Sequence, residues 1–319
     1  MNRREFLKVS GVAMAGGLGQ SPVERSVRTP TLDIGYVERG NPNGFPVILL
    51  HGFPDDVHAY DDVTPPLARA GHRVLVPYLR GFGSTRFRDP NAPRMAEQAA
   101  IGQDLIDFAD ALMLPRFAVA GYDWGGRAAC VAAALHPDRV HSAVLCSGYS
   151  IQDVFAAPRP APPEVEARFW YQYYFNTERG RLGLAQNRRA LCKLLWHQWS
   201  PTWTFSDATY DLTAPSFDNP DFVDCVIHSY RHRNLSAKGD PRFDAAEHRL
   251  ATRPTITMPV ILLYGADEGL GRPSLNGAAD HALFPGLVDR RIVAGAGHFL
   301  PREKPDAVAS ALLQLLSRA

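Results

Sequence analysis

The sequence predicts an α/β protein: a mostly parallel, doubly wound sheet interrupted by an inserted helical cap domain. Three observations carry this prediction. Short apolar runs fit for buried strands alternate with helix-patterned stretches, one such run turns into a helix through Gly121-Tyr122-Asp123-Trp124-Gly125-Gly126, and strand patterns vanish across residues 148–253 before resuming. At 319 residues and 45% hydrophobic, the chain is long enough for one such core and the insertion.

The N-terminus reads Met1-Asn2-Arg3-Arg4-Glu5-Phe6-Leu7-Lys8 and continues into a mildly apolar, glycine- and alanine-rich stretch. Paired arginines before a weak apolar region have the form of a twin-arginine export signal, with Ala13-Met14-Ala15 as the cleavage site. Residues 1–22 are therefore set apart from the fold. The expectation is export to the periplasm or beyond; the alternative is a cytoplasmic protein with a basic tail.

The core domain is drawn at 23–147 and 254–319, with the cap at 148–253. Thr31 to Val37 alternates as a strand should, and Pro46 to Leu50 is a continuous apolar run suited to a strand covered on both faces. Arg73 to Pro77 is a further strand. The glycine-rich stretch that follows, Leu79 to Ser84, lacks the Gly-Lys-Ser/Thr ending of a phosphate cradle. A helix from Met95 to Leu112, with Ile101, Leu105, Phe108, Ala109 and Leu112 at helical spacing, leads to the strand Arg116 to Ala120. The alanine-rich helix Arg127 to Leu135 and the strand Ser142 to Cys146 complete the first half.

A proline-rich hinge, Pro158 to Pro163, opens the insertion, where helices are expected from Val165 to Phe175, Gly180 to Trp196 and Asp221 to Arg233. The sheet resumes at Pro259 to Tyr264 and ends with Asp289 to Val293, and a helix from Pro305 to Ser317 closes the chain.

Composition excludes several functions. With 34 basic against 33 acidic residues, no global field recruits nucleic acid or an acidic membrane. Four cysteines without C-x-x-C spacing argue against a zinc site or a disulfide framework, and no metal or cofactor is expected; Cys192 and Cys225 share a segment and are left open as a pair. Apart from the export signal, no stretch points to a membrane. Oligomeric state is left open, a homodimer included.

The strand-to-helix turn carries the chemistry. A residue flanked by glycines two positions either side at such a turn is the nucleophile-elbow pattern, and here that residue is Asp123. A serine attacking saturated carbon would form an ether that water cannot cleave. A carboxylate forms an ester with its carbonyl on the enzyme side, so water can release the alcohol. Asp123 therefore points to displacement at sp3 carbon. The backbone N–H groups of Phe53, in His51-Gly52-Phe53-Pro54 after the second strand, and of Trp124 are assigned to an oxyanion hole. His298, in Gly295-Ala296-Gly297-His298-Phe299 after the last strand, is the candidate base. The adjacent Asp267 and Glu268 are both candidates for the acid that orients it.

His51-Gly52-Phe53-Pro54, Arg80-Gly81-Phe82-Gly83-Ser84, Gly121 to Gly126, Gly295 to Phe299 and the insertion between them together resemble the epoxide hydrolase branch of the α/β-hydrolase fold. Its core motifs are shared with haloalkane and haloacetate dehalogenases. The resemblance favours Glu268, three positions after the strand-ending Gly265. It also implies two cap tyrosines that donate hydrogen bonds to the epoxide oxygen: Tyr171, in Tyr171-Gln172-Tyr173-Tyr174-Phe175, and Tyr230, in Ser229-Tyr230-Arg231, where Ser229 replaces the usual aromatic.

The activity so implied is opening of a small, apolar-to-amphipathic epoxide to a vicinal diol. The alternative is hydrolytic dehalogenation of a halogenated substrate by the same Asp123. Against it, Phe53 stands where haloalkane dehalogenases often carry Asn or Glu, and Trp124 where haloacetate dehalogenases carry arginine. A second alternative, a non-catalytic ligand-binding protein on the same fold, is disfavoured because Asp123 and His298 are intact.

Overall fold

The computed structural model describes residues 23–318, so the export-signal pattern at 1–22 lies outside the described residues. Nine strands among them form one sheet: β1 (Val23–Arg28), β2 (Leu32–Gly40), β3 (Pro46–Leu50), β4 (Arg73–Pro77), β5 (Arg86–Phe87), β6 (Phe117–Tyr122), β7 (Val140–Cys146), β8 (Val260–Gly265) and β9 (Leu287–Val293). The spatial order is β1-β2-β4-β3-β6-β7-β8-β9, with β5 paired to β2. Strands from β4 through β3 to β9 run parallel, whereas β2 joins β1, β4 and β5 antiparallel.

Burial follows position in the sheet. Every residue of β6 is buried, while all of β9, at the far edge, is at least partly exposed. A central parallel strand is covered by helices on both faces, which is why Phe117 to Tyr122 can be uniformly apolar. The helices Gln98–Ala111 and Asp123–Leu135 lie side by side on the sheet, and the helix Pro305–Leu316 packs against β7.

β1 carries no alternating apolar signal, because Glu24, Arg25 and Arg28 make it a charged edge strand, paired with β2. Its pairing partner, rather than its own composition, makes it a strand.

Between β7 and β8 the described chain is helical. The expected single helix Val165 to Phe175 is in fact three short pieces, Pro163–Glu166, a 3-10 turn Ala167–Phe169, and Trp170–Phe175. The next helix is longer than expected, Glu178–Trp199. Thr177 caps its start by accepting the Gly180 N–H at 2.9 Å, and Asn187, with φ −121°, kinks it. The helix Phe222–Arg233 follows, and the short, charged helices Asp207–Thr213 and Asp244–Ala251 have no apolar periodicity that would have announced them. All four cysteines are buried free thiols, so Cys192 and Cys225 are unpaired. No helix among the described residues is long and apolar enough to cross a membrane.

Candidate active site

Strand register delivers the functional loops to one edge. Leu50 pairs with Gly121, Tyr122 with Cys146, Cys146 with Leu263, and Gly265 with Val293. The turns after β3, β6, β7, β8 and β9 therefore all leave the carboxyl end of the parallel sheet, the usual place for a site in open α/β folds.

The turn after β6 is as tight as its glycines suggest. Asp123 has φ +48°, a conformation that costs a non-glycine residue of the order of 1–3 kcal/mol and is retained when the surroundings over-determine it. A Cβ on Gly121 would meet the Gly125 carbonyl carbon at 2.5 Å, and one on Gly125 would meet Leu50 O at 2.1 Å. The helix must pass this close to β3 and β6 for Asp123, its first residue, to reach the sheet edge. A Cβ on Gly52 would approach Asp123 Cβ to 2.5 Å, so that glycine lets the Phe53 backbone swing in beside the carboxylate.

The two oxygens of Asp123 have different neighbours. Oδ1 accepts the Phe53 backbone N–H at 2.8 Å, and Oδ2 lies 3.7 Å from His298 Nε2. The Trp124 N–H belongs to the second residue of the helix and has no acceptor within it. Both Glu268 oxygens lie 3.1 Å from His298 Nδ1, and the same carboxylate accepts from Leu270 N–H at 3.1 Å and from Ser147 Oγ at 3.4 Å. Asp267 is turned elsewhere: its Oδ2 accepts from Thr202 Oγ1 at 3.2 Å. Of the two adjacent acids, the structure brings Glu268 to the histidine.

This arrangement sets the charges. Burial disfavours ionisation of Asp123, but the hydrogen bond and charge of His298, helped by Arg233 and Arg127, leave its carboxyl below the ordinary value. Burial likewise works against the His298 imidazolium. The Glu268 and Asp123 carboxylates outweigh it and raise the imidazole.

Tyr171 and Tyr230 come together over the site. Their rings meet edge to face with centroids 5.4 Å apart, and Tyr230 also packs on Phe53 and Trp124 at 5.6 and 5.9 Å. The Tyr171 hydroxyl accepts from Gln172 Nε2 at 3.3 Å, whereas the Tyr230 hydroxyl and the Trp124 indole N–H are buried without a partner among the described residues. Burial first, and the Asp123 charge as well, push both phenols up, so each remains a hydrogen-bond donor.

Several residues that hold this geometry have no motif to announce them. Asp55 accepts from the Tyr122 hydroxyl at 2.6 Å and from Arg302 Nε and Nη2 at 2.8 and 2.5 Å, tying the β3 turn to the residue before Asp123 and to the helix after His298. Ser200, at the end of the long insertion helix, accepts the His298 N–H at 2.8 Å and donates to Glu303 at 2.6 Å. Glu303 in turn accepts the Gly297 and Phe299 N–H groups at 2.8 and 3.0 Å. His51 Nε2 accepts the Leu79 N–H at 3.0 Å, and its Nδ1 lies 3.0 Å from Gly52 O, which assigns the neutral tautomer with the proton on Nδ1. Burial lowers this imidazole, in keeping with that state.

A sheet of this order, with its functional turns gathered at one edge and a helical segment over them, defines an α/β hydrolase. Residues 46–305 match the model of the α/β hydrolase fold family; the chain belongs to that family and is an enzyme of the hydrolase class. Within it, the chain is 27% identical to epoxide hydrolase A of Mycobacterium tuberculosis, over 93% of this chain and 98% of that one. A Klebsiella pneumoniae structure, provisionally named an epoxide hydrolase, is 43% identical with a TM-score of 0.89, covering 92% of this chain and 96% of its own. A haloalkane dehalogenase of Mycolicibacterium paratuberculosis is 26% identical, over 89% of this chain and 88% of that one.

Proposed function

We propose that the protein hydrolyses epoxides to vicinal diols through a covalent ester on Asp123. Asp123 Oδ2 attacks an epoxide carbon in line and the ring C–O bond breaks. Tyr171 and Tyr230 donate to the oxygen that opens as an alkoxide; it takes a phenolic proton to become the alcohol, and the phenolate is reprotonated with the proton that His298 gives up. Oδ1 becomes the ester carbonyl oxygen, already held by the Phe53 N–H at 2.8 Å.

The second step needs a base, and the first step creates one. Esterification removes the Asp123 charge that helps hold the proton on His298, so the imidazole can lose it and activate water against the ester carbonyl. The Phe53 and Trp124 amides stabilise the tetrahedral oxyanion, and Glu268 orients and charge-stabilises His298 through Nδ1. Collapse releases the diol and regenerates the carboxylate.

The observation that carries this reading over dehalogenation is the tyrosine pair. A halide leaves without proton donation, whereas an alkoxide needs it, and here one of two buried phenols has a hydroxyl with no other partner. The reading also draws on the relatives named epoxide hydrolases. Dehalogenation is the second reading, favoured by the unpartnered Trp124 indole N–H, which could hold a halide, and by the relative named a dehalogenase.

Intact-protein mass spectrometry of a His298→Gln variant separates the two. A mass gain equal to a whole aryl epoxide, absent when Asp123→Asn is added, supports the epoxide reading. An adduct from haloacetate minus halide alone overturns it. The Arg3-Arg4 pair supports the further proposal of twin-arginine export, which cell fractionation of the wild type against an Arg3→Lys, Arg4→Lys variant tests.

A further inference from the structure

The end of one insertion helix touches both loops that carry the histidine and its acid. The last carbonyls of a helix have no partner within it. At the end of Glu178–Trp199 the Trp199 carbonyl turns to the core, accepting the Gly269 N–H, one residue past Glu268, at 2.9 Å and the His298 N–H at 3.3 Å. Ser200, the next residue and fully buried, accepts the same His298 N–H through Oγ at 2.8 Å and the Phe299 N–H at 3.2 Å. The approach is close on both sides: a Cβ on Gly269 would lie 2.2 Å from Gln198 O, and one on Gly297 would lie 2.6 Å from Ser200 Oγ. The Trp199 ring packs edge to face on the His298 imidazole with centroids 5.0 Å apart.

Ser200 works with a buried carboxylate. Its hydroxyl donates to Glu303 Oε1 at 2.6 Å, and Glu303 also accepts the Gly297 and Phe299 N–H groups. Three consecutive N–H groups, from Gly297 to Phe299, thus end on one serine–carboxylate pair. Donation to a carboxylate polarises the hydroxyl oxygen, which is left to accept from the backbone. At the ring, Glu268 meets Nδ1, but Nε2 is unpartnered among the described residues and lies 3.7 Å from Asp123 Oδ2. The backbone therefore does much of the work of aiming Nε2.

The nucleophile is held differently. Asp123 begins a core helix and accepts the Phe53 N–H, and among the described residues the insertion makes no hydrogen bond to it. The core sets the group that forms the ester, whereas the insertion sets the group that activates water against it.

We propose that Ser200, with Glu303, is a positioning residue for the second half-reaction, acting through the His298 backbone. In that step His298 Nε2 takes a proton from water as the water oxygen bonds to the ester carbonyl carbon; on collapse the C–O bond to the substrate breaks and the proton goes to the departing oxygen. The role rests on the Asp123 ester proposed above, and not on which leaving group made it. The insertion would then serve both steps, with its two tyrosines in the first and its helix end in the second.

The test is a single turnover of styrene oxide, followed by quenched intact-protein mass spectrometry on wild type and Ser200→Ala. Ester formation should stay within about twofold of wild type, while ester decay slows by about 10- to 100-fold, as a small displacement of a catalytic group predicts. Glu303→Gln, which turns an amide N–H toward the Gly297 N–H, should show the same selectivity and keeps the test open if Ser200→Ala does not fold. The double variant should be little slower than the slower single one, because the two act as a unit. Decay at the wild-type rate, or equal slowing of both steps, overturns the role.

A second readout needs no substrate. Burial lowers the His298 imidazole, and the Glu268 and Asp123 carboxylates outweigh burial and raise it to about 10. A loosened loop weakens both contacts, so the His298 resonance, assigned by its loss in His298→Gln, should titrate at lower pH in Ser200→Ala than in wild type. An unchanged titration overturns the role. A lowered one, with no ester formed by the wild type from styrene oxide, keeps the role and counts against the epoxide reading; an ester that forms and decays alike in both proteins does the reverse.

Discussion

His298 Nδ1 lies 3.1 Å from both oxygens of Glu268, while the neighbouring Asp267 accepts from Thr202 Oγ1 at 3.2 Å. One residue along the loop separates an acid in contact with the histidine from one bound to the insertion. Glu268→Gln, which keeps the shape but offers the wrong hydrogen-bond partner, should lower kcat by about 10³–10⁴. Asp267→Asn should change it by less than about twofold, since its partner is a hydroxyl at the surface. Steady-state kinetics of both variants decides, and equal losses would exclude Glu268 as the sole orienting acid.

Replacing Tyr230 by phenylalanine should separate activity from stability. Its hydroxyl is buried without a partner, so Tyr230→Phe is expected to leave stability unchanged or raise it by about 0.5–1 kcal/mol. Loss of a donor to the developing alkoxide should lower the rate of ester formation by about 10²–10³ and leave ester hydrolysis little changed. Denaturant unfolding and single-turnover mass spectrometry read the two. A destabilised variant with normal alkylation would assign Tyr230 to packing.

The raised pKa of His298 has a stability signature. The folded protein holds this proton more tightly than the unfolded chain does. The resulting stabilisation is fully present below pH 6.5 and is lost as pH rises from there through about 10. Urea unfolding from pH 6 to 10 should therefore show wild-type stability falling relative to His298→Gln. A difference that is flat, or that grows with pH, would place the folded-state pKa at or below the ordinary histidine value.

Asp55 faces Arg302, and both are almost completely buried. Asp55→Ala leaves the guanidinium without its carboxylate and should cost about 3–5 kcal/mol. Because the same carboxylate receives the Tyr122 hydroxyl beside Asp123, kcat should fall even in the fraction that folds. Chemical denaturation with active-site titration of the folded protein separates the two effects.

The elbow glycines are steric requirements. A methyl group on Gly125 would lie 2.1 Å from Leu50 O, a backbone atom of a central strand that cannot yield cheaply. Gly125→Ala should displace the helix carrying Asp123 and destabilise the protein by about 1–3 kcal/mol or more, measurable by thermal unfolding.

Contiguous signals determined much of this protein. The buried strands announced themselves as unbroken apolar runs, and the β6 turn could be read because the residues that make it, Gly121 to Gly126, are neighbours in the chain. An elbow is a local backbone event, and its chemistry follows from the one side chain it presents. The charged edge strand β1 and the short insertion helices were not legible, because pairing and packing partners far away in sequence stabilise them.

The site divides the same way. Asp123 and His298 sit at motif positions, but the choice between Asp267 and Glu268 turned on which side chain points across to β9. The tie from Asp55 to Arg302 spans 247 residues and that from Ser200 to Glu303 spans 103, and Arg127 and Arg233 line one crevice from separate helices. Local conformation is written in neighbouring residues. Through-space contacts exist only once the sheet has brought distant loops to one edge, so the tertiary structure alone decided which charges share the site.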